Sequence, residues 1–114
     1  MIHNITRHTT ICRNEKVLSG IFSKALGLMF SKEIRDIGYI FVFHTPLKVN
    51  LHMFFVFFPI DILFLDEDKR VVEVKHNLKP FRIYNSKIKA KFVIELPVNT
   101  IMKSNTKNQD ILSW

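Results

Sequence analysis

Between residues 49 and 58 the chain is apolar on both faces of a prospective strand. His52, Phe54, Val56 and Phe58 fall on one parity, and Met53, Phe55 and Phe57 on the other. Successive side chains of a strand point to opposite sides, so this segment needs cover on both. The same texture appears in residues 38–43, an aromatic and β-branched run with Gly38 before it and Pro46 after it, and resumes in residues 60–65. Pro59 cannot donate to a strand ladder, which predicts a bend or bulge between the second and third runs. The longest apolar run, residues 53–60, falls far short of the ~20 residues a membrane helix requires.

The rest of the chain reads as further strands around one helix. Residues 5–12 are rich in β-branched side chains and predict a first strand; Asn14 suits a turn and residues 16–18 a short second strand. Ser19 can cap a helix in which Ile21, Phe22, Ala25, Leu26 and Met29 share one face, with Gly27 inside it. The polar residues Asp66, Glu67, Asp68 and Lys69 predict a turn leading to a returning strand over 70–75. Residues 77–85, containing Pro80, read as a loop, and residues 87–96 as a strand ended by Pro97. Ile111 and Leu112 suit a last edge strand. With 114 residues and no internal repeat, the chain reads as one β-rich domain over 1–114 with a single helix.

Known catalytic and metal patterns find no match. His3, His8, His44, His52 and His76 form no HxxxH pair, and the lone Cys12 can make neither a CxxC set nor an internal disulfide. His8 and Cys12 are four residues apart, but in a strand that separation spans about 13 Å. No GxSxG is present, and 3 glycines spread over the chain cannot build a phosphate loop, so neither a metal nor a cofactor is expected. The polar start of the chain has no signal-like apolar stretch, and the reading is a soluble, cytoplasmic protein.

Asp61 is the anomaly, a carboxylate inside the apolar stretch 57–64. Burying it unpartnered would be costly, so it is expected to accept hydrogen bonds from backbone N–H groups at the Pro59 bend. The competing reading makes Asp61 the polar floor of a pocket, with His52 as a possible wall.

Charge is concentrated. Residues 69–91 hold Lys69, Arg70, Lys75, Lys79, Arg82, Lys87, Lys89 and Lys91 against Glu73 alone, which accounts for the whole formal net charge of +7. With Phe81 and Tyr84 interleaved, Lys75, Lys79, Arg82, Lys87, Lys89 and Lys91 form a candidate anion or nucleic-acid patch. The alternative is a solvated face that keeps an apolar domain in solution and protects an edge strand.

Four blocks stand in order along the chain: Gly27-Leu28-Met29-Phe30, then Gly38-Tyr39-Ile40-Phe41-Val42-Phe43, then His52-Met53 with Phe58-Pro59-Ile60-Asp61-Ile62-Leu63-Phe64-Leu65-Asp66, and Phe92-Val93-Ile94-Glu95-Leu96-Pro97. Together they resemble domain-of-unknown-function family 192. These are similar to the family's GLMF, GMLFVF, WM with PLDIIFLD, and YVLELP, and the order fits over about 19–97. Departures are His52 in place of Trp, Ser31 in place of Arg, and Asn99 in place of Gly. The HMFFVFFPID form looks like archaeal members. The resemblance implies a compact β-barrel or jelly-roll-like sandwich with one short α-helix packed on it, and it implies no reaction.

The resulting expectation is a small non-enzymatic binding or accessory domain of unknown partner. Gly27, Met29, Met53, Pro59 and Glu95 would mainly shape the fold, and any pocket would lie near Asp61 and His52. The alternatives are nucleic-acid binding through residues 69–91 and an uncharacterised enzyme working through Asp61 and His52.

Overall fold

The computed structural model of the chain describes residues 1–19, 36–53 and 57–114, with the side chain of His52 outside that description. The expected helix around Gly27 and Met29 lies outside the described residues. Among those described, strands dominate: β1 Ile2–Asn4, β2 Thr9–Cys12, β3 Asn14–Ser19, β4 Ile37–Leu47, β5 Asn50–His52, β6 Ile60–Leu65, β7 Val71–Leu78, β8 Ile83–Asn85, β9 Ala90–Pro97 and β10 Leu112–Ser113, with one short helix, α1, at Thr100–Lys103.

The main sheet has the order β3-β4-β9-β6-β7, antiparallel except for the parallel β3–β4 pair. All six residues of β6 are buried, as its apolar content on both parities requires. One face of the sheet presents Phe41, Ile60, Ile62, Phe64 and Val93 to Val49, Met53 and Phe58. The other presents Ile40, Leu63, Leu65, Ile94 and Leu96 to Ile2, Ile11, Cys12, Ile101 and Leu112. Among the described residues the cover therefore comes from two small sheets: β5-β8 on the first face, and β10-β1-β2 together with α1 on the second.

This corrects the expectation of a barrel. The main sheet ends in the edge strands β3 and β7, and the described strands do not close on themselves. Closure buries only the inner face of each strand, whereas β6 is covered on both sides by separate layers. The fold is mainly β, as expected, and built in layers.

Two further expectations change in detail. Residues 5–12 form a turn and a strand rather than one strand, because the chain reverses at His8 (φ 58°) and β1 pairs with β2. Within residues 77–85, expected to be a loop, β8 forms and pairs with β5 in the register Leu51↔Tyr84. The predicted hairpin at residues 66–69 is present: Asp66 Oδ1 accepts the Asp68 and Arg70 N–H groups at 2.9 and 3.0 Å. The predicted last strand is also present, as β10 pairing with β1.

A buried polar knot joins the first and last segments. Asn4 donates to Asp110 Oδ2 (2.9 Å) and Thr106 Oγ1 (3.1 Å), and Arg7 Nε pairs with Asp110 at 3.1 Å. Burial pulls the Asp110 carboxyl up, but the hydrogen bonds from Asn4, the Lys107 N–H and Arg7, with the Arg7 charge, outweigh it and hold it below the usual carboxylate range.

Gly38 sits where β4 meets β1. A Cβ there would come within 2.5 Å of Ile2 Cδ1 and 3.1 Å of Leu96 Cδ2. Both contacts are with the ends of side chains that can shift, so Gly38→Ala is expected to cost about 1 kcal/mol, at the low end for overpacking. A urea midpoint unchanged from the parent would contradict the close packing of β1 on the sheet.

Candidate functional site

Asp61 and the strand that carries His52 lie on opposite faces of β6. Asp61 lies on the α1 side, fully buried, and its carboxylate accepts the Asn77 N–H (2.9 Å, Oδ1) and the Ile101 N–H (3.1 Å, Oδ2). Strand β5, which carries His52, packs through Leu51 on the opposite face, with Ile62 and Phe64. Both Asp61 oxygens are thus occupied by backbone amides, one from a residue in the left-handed region (Asn77, φ 50°) and one from the first turn of α1.

The other motif residues line the core. Met53 is buried in the β5 layer, and Pro59 is half-buried at the entry to β6. Glu95 stands on the same face as Ile62, between that residue and Tyr39 of β4. Burial pushes its carboxyl up to about 8. Gly27 and Met29 lie outside the described residues.

The basic segment is divided by the fold. Lys69 and Arg70 sit at the β6–β7 turn, where the Lys69 ammonium lies 4.0 Å from the centre of the Trp114 ring and Arg70 Nη1 donates to the Gln109 carbonyl at 3.0 Å. The other cations follow β7, β8 and the start of β9. Lys91 Nζ donates to the His44 carbonyl at 2.7 Å, and the Lys75 ammonium lies 5.5 Å from the Tyr84 ring. Lys79, Arg82, Lys87 and Lys89 are exposed, and among the described residues their side chains form no ion pair.

Glu73 explains why this surface stays uncompensated. The only acid of the segment is buried, and its carboxylate accepts the Tyr84 hydroxyl and the N–H groups of Lys87 (2.8 Å) and Ile88 (3.1 Å). Burial, reinforced by the Glu73 hydrogen bond and charge, pushes the Tyr84 phenol up to about 12, so it remains a donor to Glu73. The fold spends its one negative charge here on holding the β8–β9 loop and leaves the lysines and arginine facing outward.

An aromatic pair includes Phe81, which lies in the chain between two of these cations, Lys79 and Arg82. Phe57 (61% exposed) and Phe81 (54% exposed) meet edge to face, their centroids 5.6 Å apart. Ile83, the first residue of β8, is also 61% exposed. The Phe81 backbone is in the left-handed region (φ 62°), a conformation costly for a bulky residue. It is fixed there by the hydrogen bonds Phe81 N–H to Met53 O (2.9 Å), Met53 N–H to Arg82 O (2.8 Å) and Arg82 N–H to Lys79 O (3.3 Å).

Phe81 was expected within the charged segment's candidate patch, whereas Phe57, expected in a run covered on both faces, is exposed instead. A signal was present in Lys79-Pro80-Phe81-Arg82, a tight turn with a ring flanked by cations, but only tertiary contacts show that the ring points outward. Elsewhere, a cleft of about 280 Å³ is lined by Thr10, Asp36, Thr100, Lys103 and Ser104. Two of its polar groups are used internally: Ser104 Oγ donates to the Thr100 carbonyl, and Asp36 pairs with Arg13 at 3.0 Å. Among the described residues, no group of three or more His, Cys, Asp and Glu side chains converges, and no helix is long and apolar enough to cross a membrane. Cys12 is a free buried thiol, pushed up to about 12 by burial and by the nearby Asp36 charge.

Comparison with known proteins places this arrangement in a family. A UPF0127 protein of Pyrococcus horikoshii is 36% identical over 114 residues, covering 100% of this chain and 98% of that protein. A UPF0127 protein of Thermococcus sibiricus is 33% identical over 118 residues, covering 100% of this chain and 74% of that protein. Both sources are archaeal, in keeping with the form of residues 52–61. Among solved structures, a Sinorhizobium meliloti protein superposes with a TM-score of 0.82 at 24% identity, over 87% of this chain and 79% of that one. A protein of unknown function from Novosphingobium aromaticivorans superposes at 0.81 and 24%, over 88% and 74%. These two share the fold. Residues 3–114 match the family described as Uncharacterized ACR, a span wider than the sequence blocks alone indicated, and the chain belongs to that family, DUF192.

Proposed function

We propose that this protein is a small binding domain, not an enzyme, and that it holds an anionic polymer on the surface formed by β8 and its flanking loops. The observation that carries this reading is the inward turn of Glu73. It removes the only acid of the segment from a surface on which Lys79, Arg82, Lys87 and Lys89 remain exposed and unpaired among the described residues. Clustered cations without counter-charges attract phosphate- or carboxylate-rich chains and release condensed counterions on binding. The reading places the protein in the cytoplasm, where the lone thiol of Cys12 stays reduced.

The test is binding of fluorescein-labelled heparin and a labelled oligonucleotide, followed by anisotropy as salt is raised. If four cations are engaged on a single-stranded polyanion, log K falls by about 0.7 per cation per decade of salt, so a fourfold rise in salt weakens binding roughly fiftyfold. Replacing Lys79, Arg82, Lys87 and Lys89 together by Ser is expected to abolish most of that dependence with the fold intact. Absence of binding to any polyanion at low salt, or a slope unmoved by the four substitutions, would overturn the reading.

A further inference from the structure

We infer that the polymer is single-stranded nucleic acid, with its bases stacked on the exposed rings of Phe57 and Phe81 and its phosphates on the neighbouring cations. This rests on the charged surface proposed above and adds its partner. Charge alone would accommodate any polyanion, but two exposed phenyl rings contribute little to a sulfated sugar or an acidic peptide. They match a ligand that alternates negative charge with flat apolar faces, which is the repeat of an unpaired nucleic-acid strand.

The placement of the rings supports this. Phe81 holds a left-handed backbone (φ 62°) with its ring 54% exposed. A strained backbone normally persists because the surrounding structure fixes it, and here the hydrogen bonds between residues 79–82 and Met53 do so. The cost is not recovered by burying the ring. What the strain achieves is presentation: Phe81 stands against Phe57 between Lys79 and Arg82, with Ile83 beside it. An edge-to-face pair of exposed rings keeps aromatic surface free for a base to stack upon.

Duplex is disfavoured by the same geometry. In a duplex the base faces are already stacked, and reading their edges requires an element that enters a groove. The elements here are a three-residue strand and two short loops. Bases must therefore be unpaired before they reach the rings.

The experiment compares a labelled 12-nucleotide oligothymidine, a duplex of equal length, an abasic oligomer with the same number of phosphates, and a poly-glutamate peptide at one salt concentration, and repeats the oligothymidine titrations over a salt series for the parent and each variant. The oligothymidine is expected to bind about tenfold or more tightly than the duplex and the abasic oligomer. Phe81→Asn and Phe57→Ser should each weaken oligothymidine binding by about tenfold while leaving the salt slope in place. Both rings are exposed, and Asn accepts a left-handed backbone more readily than Phe does. Phe81→Asn should therefore keep or raise thermal stability, so lost affinity cannot be ascribed to unfolding. Equal affinity for single strand, duplex and abasic oligomer, or full affinity in both variants, would overturn the base-stacking inference while leaving the polyanion reading standing. Preference for poly-glutamate would assign the surface to an acidic protein instead. Failure of every probe to bind would remove the charged-surface reading itself.

Discussion

Replacing Asp61 by Ala is expected to destabilise the protein by about 3 kcal/mol, with a large fall in its urea midpoint. The carboxylate is 1% exposed and accepts two backbone N–H groups, those of Asn77 and Ile101. Hydrogen bonds to charged groups contribute about 1.5–3 kcal/mol each, and leaving the donors unpaired in the interior adds their desolvation cost. Asn77 depends on its bond particularly, because it holds the left-handed region (φ 50°) one residue before the end of β7. Asp61→Asn should cost less, about 1–2 kcal/mol. Its amide oxygen keeps one of the two bonds and its NH₂ group then opposes the other donor. Hydrogen exchange at the Asn77 and Ile101 amides should accelerate in both variants. A fully stable Asp61→Ala protein that had lost ligand binding would instead make Asp61 part of a site, against the hydrogen-bonding geometry.

How much of this was legible in the sequence differs from one element to the next. Strand β6 could be read directly, because an apolar run broken only by Asp61 and closed by Pro59 and Asp66 has few alternatives. The turn at Asp66 was equally plain, since an Asp side chain accepting the next amides is a local interaction. What the apolar run could not disclose is which elements cover it. Period-two arithmetic requires two covered faces, and a barrel wall against a second layer would satisfy it as readily as the two small sheets observed.

The reversal at His8 and the strand β8 escaped for a related reason. With only 3 glycines in the chain, left-handed positions among the described residues fall to His8, Asp36, Lys69, Asn77, Phe81, Asn99, Asn105 and Gln109. The usual glycine marker of a turn is therefore missing where the chain actually turns. The charged segment shows the same division between local and tertiary information. Its composition was visible, but the diversion of Lys69 to Trp114, of Arg70 to the Gln109 carbonyl and of Glu73 into the interior depends on contacts among residues up to 45 apart. Those contacts turn a basic stretch of sequence into a smaller outward-facing patch beside two phenyl rings.

Glu95→Gln is expected to make the protein markedly more stable in alkaline solution and to leave its stability in mild acid nearly unchanged. Glu95 sits in the central part of the main sheet, buried, and among the described residues its carboxyl has no hydrogen bond or ion pair to offset the loss of water. Burial raises its pKa from 4.5 to about 8. Between those two values the folded chain keeps a proton that the unfolded chain gives up, so the folded state binds more protons and stability falls as pH rises. The stability is intact below about 4.5, declines through neutrality, and reaches its full loss above about 8. At about 1.36 kcal/mol per pH unit the total is on the order of 4–5 kcal/mol, a sizeable part of what a domain of this size possesses. Asp110 works in the opposite sense: its lowered pKa contributes stability that is present above the usual carboxylate range and lost only as the solution becomes strongly acidic. The wild-type protein should therefore be most stable in mildly acidic solution. Gln has nearly the shape of Glu and no charge to bury, so the variant's denaturation midpoint should be flat from pH 5 to pH 9 while the parent's declines. Parallel declines in the two proteins would show that Glu95 is already ionised at neutral pH, and that a compensating group holds it in the sheet.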